Sequence, residues 1–209
     1  MPLPTRGSQI TLRSVFAMSF LLCGVCGTSA AQQAHAGPPT IHELLEQDQA
    51  DRQGPDDTGP AYWRGVAERD SARRQLATHL LAAGAVRSGA DFEDASVIFQ
   101  HGDGPADYLE AHVLAMAALA KGDTGAAWIA AATLDRYLQS VKQPQIFGTQ
   151  YSWRQLRPAP HGATQDPYDR DLLSDTLRRA FCVAPQASQR QNLQAMERHQ
   201  AWPSPDSCH

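Results

Sequence analysis

The stretch that decides the fold is GPADYLEAHVLAMAALAKGDTGAAWIAAATLDRYLQSVKQP, residues 104–144. Pro105 favours a helix start, because proline fits the first helical position. Apolar residues recur on one helical face of this segment: Leu109, Val113, Met116 and Ala120. Gly122 is typical of a helix end, and Asp123 of the cap of the next helix. Because so few residues separate the two helices, we expect them to fold back as an antiparallel hairpin.

Helical signals extend from this hairpin in both directions. Thr40 and Glu43 form the pattern of a capping box and predict a helix to about residue 53. Further helices are expected over residues 61–83, 91–100, 167–180 and 187–199. The segment 143–167 is rich in proline and glycine and is expected to be a long loop. Since no run of alternating β-branched residues predicts a sheet, the fold class is all-α.

The expected architecture is a domain over residues 40–181 built from antiparallel helix hairpins. Alanine is dense in the segment 104–144, and small side chains allow helices to approach closely, as they do in stacked helical repeats. We therefore expect a helical array similar to tetratricopeptide or Sel1-like repeats. Residues 182–209 are expected to form a C-terminal segment.

The N-terminus has the pattern of a targeting segment. Arg6 and Arg13 precede an apolar run over residues 14–26, and small residues continue to position 31. This order is typical of a secretory signal peptide, here residues 1–31. An N-terminal membrane anchor is the alternative, although a span needs ~20 apolar residues. A linker is expected over residues 32–39. The sequence predicts a periplasmic or secreted protein that is not stably inserted in a membrane after cleavage.

Composition narrows the function classes. The chain has 18 Lys and Arg against 22 Asp and Glu, a net charge of −4, and so lacks the basic field typical of nucleic-acid-binding proteins. Two of the four cysteines lie in the expected leader. The spacing of the other two, Cys182 and Cys208, fits neither a redox motif nor a common zinc site. They are expected to form a disulfide that ties the C-terminal segment back to the domain.

A histidine and a carboxylate stand out just before the hairpin. His101 and Asp103 lie two positions apart in a predicted turn, which suits an orienting pair for proton transfer with His101 as general base. With His112 they also suit a metal site. The structural alternative is that Asp103 caps the following helix and that His112 is a satisfied core histidine.

Further polar residues lie at the end of the hairpin and beyond it. Asp135 falls on an apolar helix face, where a lone carboxylate is costly, so Arg136 or another arginine is expected to partner it. The glutamines and threonine of segment 143–150, with aromatic residues nearby, suit a neutral polar ligand such as a sugar or a peptide backbone. The alternative is that these amides bond to their own backbone. The candidate ligand-binding residues are Gln100, His101, Asp103, Asp135, Arg136, Gln145, Thr149 and Gln150.

Recognisable catalytic and cofactor motifs are absent from the sequence. It contains no nucleophile elbow, no HExxH zinc motif, no phosphate-binding or dinucleotide-binding glycine loop, no EF-hand and no zinc-finger spacing. The sequence therefore indicates neither a cofactor nor a resident metal.

Over roughly residues 41–153 the chain resembles the DUF6624-like group, a family of bacterial proteins of unknown function. The matching residues are Asp48-Gln49 with Arg52, Gln100-His101 with Asp103, Asp135-Arg136, Pro144-Gln145 and Phe147-Gly148-Thr149-Gln150. The chain departs from the family pattern in the alanine-rich stretch 111–132 and in its longer C-terminal piece with Cys182. The resemblance implies that these polar residues belong to one constellation, and it brings no activity with it.

Taken together, these patterns favour an exported binding module for a polar ligand or a protein partner. One alternative is a hydrolase that uses His101 and Asp103. The other is a scaffold for protein interaction, which predicts an exposed apolar face.

Overall fold

The computed structural model of the chain describes residues 37–54, 59–154 and 162–200. The expected signal peptide and Cys208 lie outside the described residues, so export, cleavage and the Cys182–Cys208 disulfide remain predictions. In the part of the chain that is described, no helix is long and apolar enough to cross a membrane. The described residues from Thr40 onwards form one compact unit.

The protein is all-α, as the sequence predicts. Its described residues form the helices α1 (Ile41–Arg52), α2 (Pro60–Ala82), α3 (Gly89–Gln100), α4 (Pro105–Ala120), α5 (Ala127–Ser140), α6 (Asp175–Ala180) and α7 (Gln186–Glu197). A short 3-10 helix, Thr124–Ala126, leads into α5. Two short strands, β1 (Ser152–Arg154) and β2 (Gly162–Thr164), pair antiparallel. Stacking in a tetratricopeptide-like or Sel1-like array remains a prediction.

Local signals place the helix starts. The Thr40 side chain accepts the Glu43 amide and the Glu43 carboxylate accepts the Thr40 amide, so the capping box is confirmed. Ser88 forms a second capping box at the start of α3, a motif that satisfies two otherwise unbonded amides. Prolines stand in the first turn of α2 and of α4, where their missing N–H is harmless. Asp123 caps the 3-10 turn before α5 by accepting the Gly125 amide.

Helix α3 is the centre of the fold, because it packs against α1, α2, α4 and α5. Its Ile98 and Phe99 are buried against Ile41 and Leu44 of α1. The α4–α5 hairpin is held by small side chains that are fully buried in one cluster: Ala115, Ala118, Ala126 and Ala130. Such side chains let the two helix axes approach closely, so the dense alanine of this segment is the core of the hairpin.

The large apolar residues of α4 face outwards. Leu109, Val113 and Met116 are 41%, 59% and 45% exposed. The buried face carries Leu114 and the alanines instead. Side-chain size explains the difference, because close helix contact selects the small residues and leaves the larger ones outside. The periodicity therefore predicts the helix correctly, but it assigns the wrong face of α4 to the core.

The region after α5 differs from the expected long loop and helix. The strands β1 and β2 lie inside the segment 143–167, which contradicts the expectation of no sheet. The helix expected over 167–180 begins only at Asp175, where Ser174 caps it by accepting the Leu177 amide. The chain before it stays irregular because the buried Arg178 guanidinium donates to the Leu173 and Arg170 carbonyls.

Candidate functional site

The site is built where α3 ends against α1. His101 is the C-cap residue of α3, and its Nδ1 lies 3.0 Å from Oδ1 of Asp48 in α1. Asp48 is 1% exposed, and its Oδ2 also accepts the Gln49 side-chain amide at 2.8 Å. A carboxylate in this position fixes both the orientation of the imidazole and the nitrogen that carries its proton.

The protonation states of this pair follow from their surroundings. Burial favours raising the pKa of Asp48, but hydrogen bonds from His101 and Gln49 and the charge of Arg52 lower the pKa overall. Burial lowers the pKa of His101, and the positive charges of Arg52 and Arg136 lower it further, against the pull of Asp48. At neutral pH the pair is therefore a carboxylate and a neutral imidazole. Nδ1 donates to Asp48, and Nε2 is an acceptor without a hydrogen-bond partner among the described residues.

Asp103 does not orient His101 and does not cap α4. Its side chain is 70% exposed and pairs with Arg74 of α2. Arg74 also donates to the His101 carbonyl at 2.8 Å, so this arginine ties the turn to α2. The cap of α4 is Gly104, without a side-chain bond. Sequence proximity suggested Asp103 as the partner of His101, whereas the packing of α1 on α3 provides Asp48.

An arginine and carboxylate ladder between α1 and α2 supports the site. Arg52 NH1 lies 2.9 Å from Asp48 Oδ1, and Arg52 NH2 lies 2.8 Å from Asp70 Oδ2. Arg73 contacts Asp70 at 2.6 Å and also Asp51. The i, i+4 spacing of Asp48 and Arg52 suits a surface ion pair, but the structure buries Asp48 and leaves only 10% of the Arg52 side chain exposed. The positions of Asp70 and Arg73, one helical turn apart on α2, are the signal that predicts this charged face.

Arg136 of α5 lies on the other side of His101. Its NH1 donates to the Gln100 carbonyl at 2.8 Å, and its Nε donates to Gln150 Oε1 at 3.2 Å. The guanidinium lies 5.9 Å from the centre of the Tyr108 ring. Among the described residues no carboxylate lies within 4.0 Å of it, which makes Arg136 a positive charge without a counterion in the site.

Asp135 is partnered by backbone and not by arginine. Its Oδ1 accepts the amides of Ile146 and Phe147 at 2.8 and 3.0 Å. Its Oδ2 accepts the Thr149 amide at 2.9 Å and the Thr149 hydroxyl at 2.8 Å. Because Asp135 is fully buried, these four bonds fix the segment that follows α5. The prediction that an arginine partners Asp135 is wrong, because Arg136 bonds to Gln100 and Gln150 instead.

The glutamines after α5 mainly hold their own backbone. Gln145 Nε2 donates to the Gln150 carbonyl and Gln145 Oε1 accepts the Gln150 amide, each at 2.9 Å. Gln150 Nε2 donates to the Ala132 carbonyl of α5 at 3.1 Å. Of the candidate residues in this segment, only Gln150 therefore contacts Arg136, and it does so through its side-chain oxygen. Gln145 and Thr149 are buried supports.

The side chains of two remaining residues, His112 and Gln100, have different surroundings. His112 Nδ1 lies 3.0 Å from the Ala130 carbonyl, so it bridges α4 and α5 inside the hairpin. No group of three or more metal-ligating side chains occurs within the described residues. Gln100 is 7% exposed, and its Oε1 is a buried acceptor with no partner in the described part of the chain. Such an atom normally accepts a bond from water or a ligand.

Comparison with models of known protein families, with curated proteins and with solved structures finds no match for this chain. The resemblance to the DUF6624-like group remains a prediction. Its implication of one constellation is consistent with where four of the residues lie: Gln100, His101, Arg136 and Gln150.

Proposed function

We propose that the protein is an exported binding module for a small polar ligand, held at the junction of α3, α5 and the segment after α5. One observation carries the proposal. His101 Nε2 and several N–H groups of Arg136 have no partner among the described residues, although both side chains are fixed by buried neighbours. Binding sites characteristically combine a few polar groups of this kind with a supporting layer that holds them.

The supporting layer is built mainly from main-chain and buried groups. Asp48 fixes His101, while the Gln100 carbonyl and the Gln150 side chain fix Arg136. Rigid placement reduces the entropy that a ligand must overcome on binding. Gln100, whose carbonyl accepts Arg136, also carries a buried side-chain oxygen without a partner among the described residues, whereas buried polar groups are normally satisfied.

The test is a binding screen on the purified full chain by ligand-observed NMR, with affinities of the hits measured by calorimetry. The panel contains sugars, amino acids, dicarboxylates and nucleotides. We expect a hit whose affinity falls at least about tenfold in His101→Gln and in Arg136→Gln, the loss of one hydrogen bond to a charged or polar group. Arg64→Gln, an exposed residue of α2, makes the same charge change and should leave affinity unaltered.

Two results would overturn the binding proposal. One is a hit that binds both site variants as tightly as it binds the unaltered chain. The other is a panel without any hit, which would favour the scaffold hypothesis and the exposed face of α4, where Leu109, Val113 and Met116 are uncovered.

A hydrolase is the second candidate, favoured by the His101–Asp48 contact. A neutral imidazole with Nδ1 on a carboxylate and Nε2 free can take a proton from water, and Asp48 acts as the positioning residue. Hydrolysis of ester or phosphoester substrates should then fall by about 100-fold or more in His101→Gln. The rate should rise with pH through a midpoint below 6.5, since the pKa of His101 is lowered by burial. Equal rates in the two chains would remove this candidate.

A further inference from the structure

The charges around His101 differ in whether a carboxylate neutralises them. Arg52 contacts Asp48 at 2.9 Å and Asp70 at 2.8 Å, so its charge is matched inside the protein. Both carboxylates are nearly buried. Their side chains can therefore hold Arg52 without help from solvent, and Arg52 needs no further anion.

Arg74 follows the same rule at the edge of the site. It pairs with Asp103 and lies 3.6 Å from Asp107. Three arginines of α1 and α2 therefore have a carboxylate within 4.0 Å: Arg52, Arg73 and Arg74.

Arg136, in contrast, has no carboxylate partner among the described residues. Its two hydrogen-bond partners are neutral oxygens, the Gln100 carbonyl and Gln150 Oε1. A guanidinium has five N–H donors, so three of them have no acceptor in the described part of the chain. The contacts made by Nε and NH1 restrict rotation of the group and leave NH2 available in a fixed direction.

The surroundings of Arg136 make a lone positive charge costly. Burial lowers its pKa, and the nearby charge of Arg52 lowers the pKa further. The face of Tyr108 compensates only in part, because its ring centre lies 5.9 Å from the guanidinium, at the outer limit of a cation–π contact. The charge of a bound anion would offset both effects, and a planar guanidinium binds carboxylate and phosphate oxygens with two parallel bonds.

We infer that the ligand of this site is a small anion, with a carboxylate or phosphate group bound by Arg136 beside His101. This inference rests on the proposed binding function and names the chemical class of its ligand. It differs from the neutral sugar or peptide that the glutamine-rich segment suggests, because Gln145 bonds to the backbone. A small molecule fits better than an extended surface, since the His101 side chain is only 15% exposed.

The experiment titrates inorganic phosphate, succinate and glucose into the purified full chain by calorimetry. In parallel, NMR follows the Arg136 Nε–H signal, assigned from Arg136→Lys. We expect phosphate or succinate to bind and to shift that signal, whereas glucose does neither. Arg136→Gln should weaken anion binding at least about tenfold, and Arg136→Lys less, since charge is kept and the fork is lost. Arg64→Gln is the charge-matched control and should bind as the unaltered chain does.

The two anions also identify the source of the oxygen group. Stronger binding of phosphate assigns a phosphate ligand, and stronger binding of succinate a carboxylate ligand. The inference is wrong if neither anion binds or shifts the Nε–H signal, or if anion affinity is the same in Arg136→Gln. If Arg136→Gln does not fold, the Arg136→Lys affinity and the Nε–H shift of the unaltered chain decide.

Failure of this inference can be told apart from failure of the binding function. A neutral compound that binds the unaltered chain and is lost in His101→Gln, while neither anion binds, would sink the inference and leave the binding function standing. Absence of any binding to the site by anions and by the neutral panel sinks both.

Discussion

At the scale of the single residue, Asp135 shows how one carboxylate shapes a segment. It is fully buried at the end of α5, and both of its oxygens accept two hydrogen bonds. Three of the donors are main-chain amides that would otherwise lack partners away from water. The path of the chain beyond α5, and with it the position of Gln150 beside Arg136, therefore depends on this side chain.

Asp135→Asn should destabilise the fold strongly. The substituted amide keeps one acceptor oxygen, but its NH₂ group faces donors on the other side, which leaves buried N–H groups unbonded. We expect the free energy of unfolding to fall by about 2–4 kcal/mol, measured by chemical denaturation.

Asp169→Asn is the matched control for that change. Asp169 is exposed, and only its Oδ1 accepts amides, those of Asp171 and Leu172, each at 3.2 Å. An asparagine oxygen can do the same, so the free energy of unfolding should change by less than about 0.5 kcal/mol. Equal losses in the two variants would show that the four bonds of Asp135 contribute no more than a surface turn.

At the scale of the element, the segment after α5 is locked onto α7 and needs glycine at one point. Gly148 has φ +85°, a backbone conformation that strains any L side chain. An added Cβ would overlap the Oε1 atom of Gln189 in α7 and lie 2.7 Å from the Tyr168 hydroxyl. Gln189 cannot simply move away, because its amide is buried and donates to the Phe147 and Ala184 carbonyls.

Gly148→Ala should therefore cost more than backbone strain alone. We expect a loss of about 3 kcal/mol in the free energy of unfolding, with about 1 kcal/mol from strain and the rest from overpacking. Gly122→Ala is the control, since Gly122 has φ +87° and nothing within 4 Å of an added Cβ. It should lose only about 1 kcal/mol. Thermal and chemical unfolding of the two variants separate the cost of backbone strain from that of overpacking. Equal losses would contradict the close approach of Gly148 to α7.

Element boundaries are also where sequence reasoning works best. The capping box at Thr40 and the break at Gly122 are local signals, and the structure confirms the helices that they bound. The outward face of α4 and the irregular chain before α6 are not predictable in that way. They depend on which distant residues come into contact, such as Arg178 with the Arg170 carbonyl.

The candidate site shows the same difference between local sequence signals and contacts between distant residues. His101, Arg136 and Gln150 could be selected from the sequence by residue type, but their partners could not. Asp48 lies more than fifty positions from His101, and only the packing of α1 on α3 brings it into contact. Residue type identifies chemical capacity, whereas the fold decides which groups are satisfied and which remain available.

At the scale of the whole molecule, two histidine–carboxylate pairs join α1 to α3. His42 Nδ1 of α1 lies 2.9 Å from Asp94 Oδ2 of α3, and Asp48 of α1 lies 3.0 Å from His101 at the end of α3. The pairing order shows that the two helices run side by side in the same direction. The His42 side chain is 66% exposed and the His101 side chain 15% exposed, so the pairs meet opposite environments.

Because of these environments, the two histidines make stability change with pH in opposite directions. The hydrogen bond that His42 donates to Asp94 and the charge of Asp94 raise the pKa of His42, with Glu43 and Glu46 adding to the effect. Its contribution is therefore complete below about pH 6.5 and is lost as pH rises through the folded-state pKa. Burial lowers the pKa of His101, despite Asp48. Stability from its neutral form is complete above about pH 6.5 and declines as pH falls towards the folded-state pKa.

Single substitutions separate the effects of the two histidines. Each removes one contribution to the pH dependence of stability and leaves the other groups in place. We expect His42→Gln to lose more stability than the unaltered chain on going from about pH 7.5 to about pH 5.5, by about 0.5 kcal/mol since His42 is exposed. Over the same interval His101→Gln should lose less stability than the unaltered chain, because no buried imidazole resists protonation. The measurement is chemical denaturation of the three chains at both pH values. Parallel changes in all three chains would show that neither pair couples the α1–α3 interface to pH, and a reversed order would show that the surroundings assigned to the two histidines are wrong.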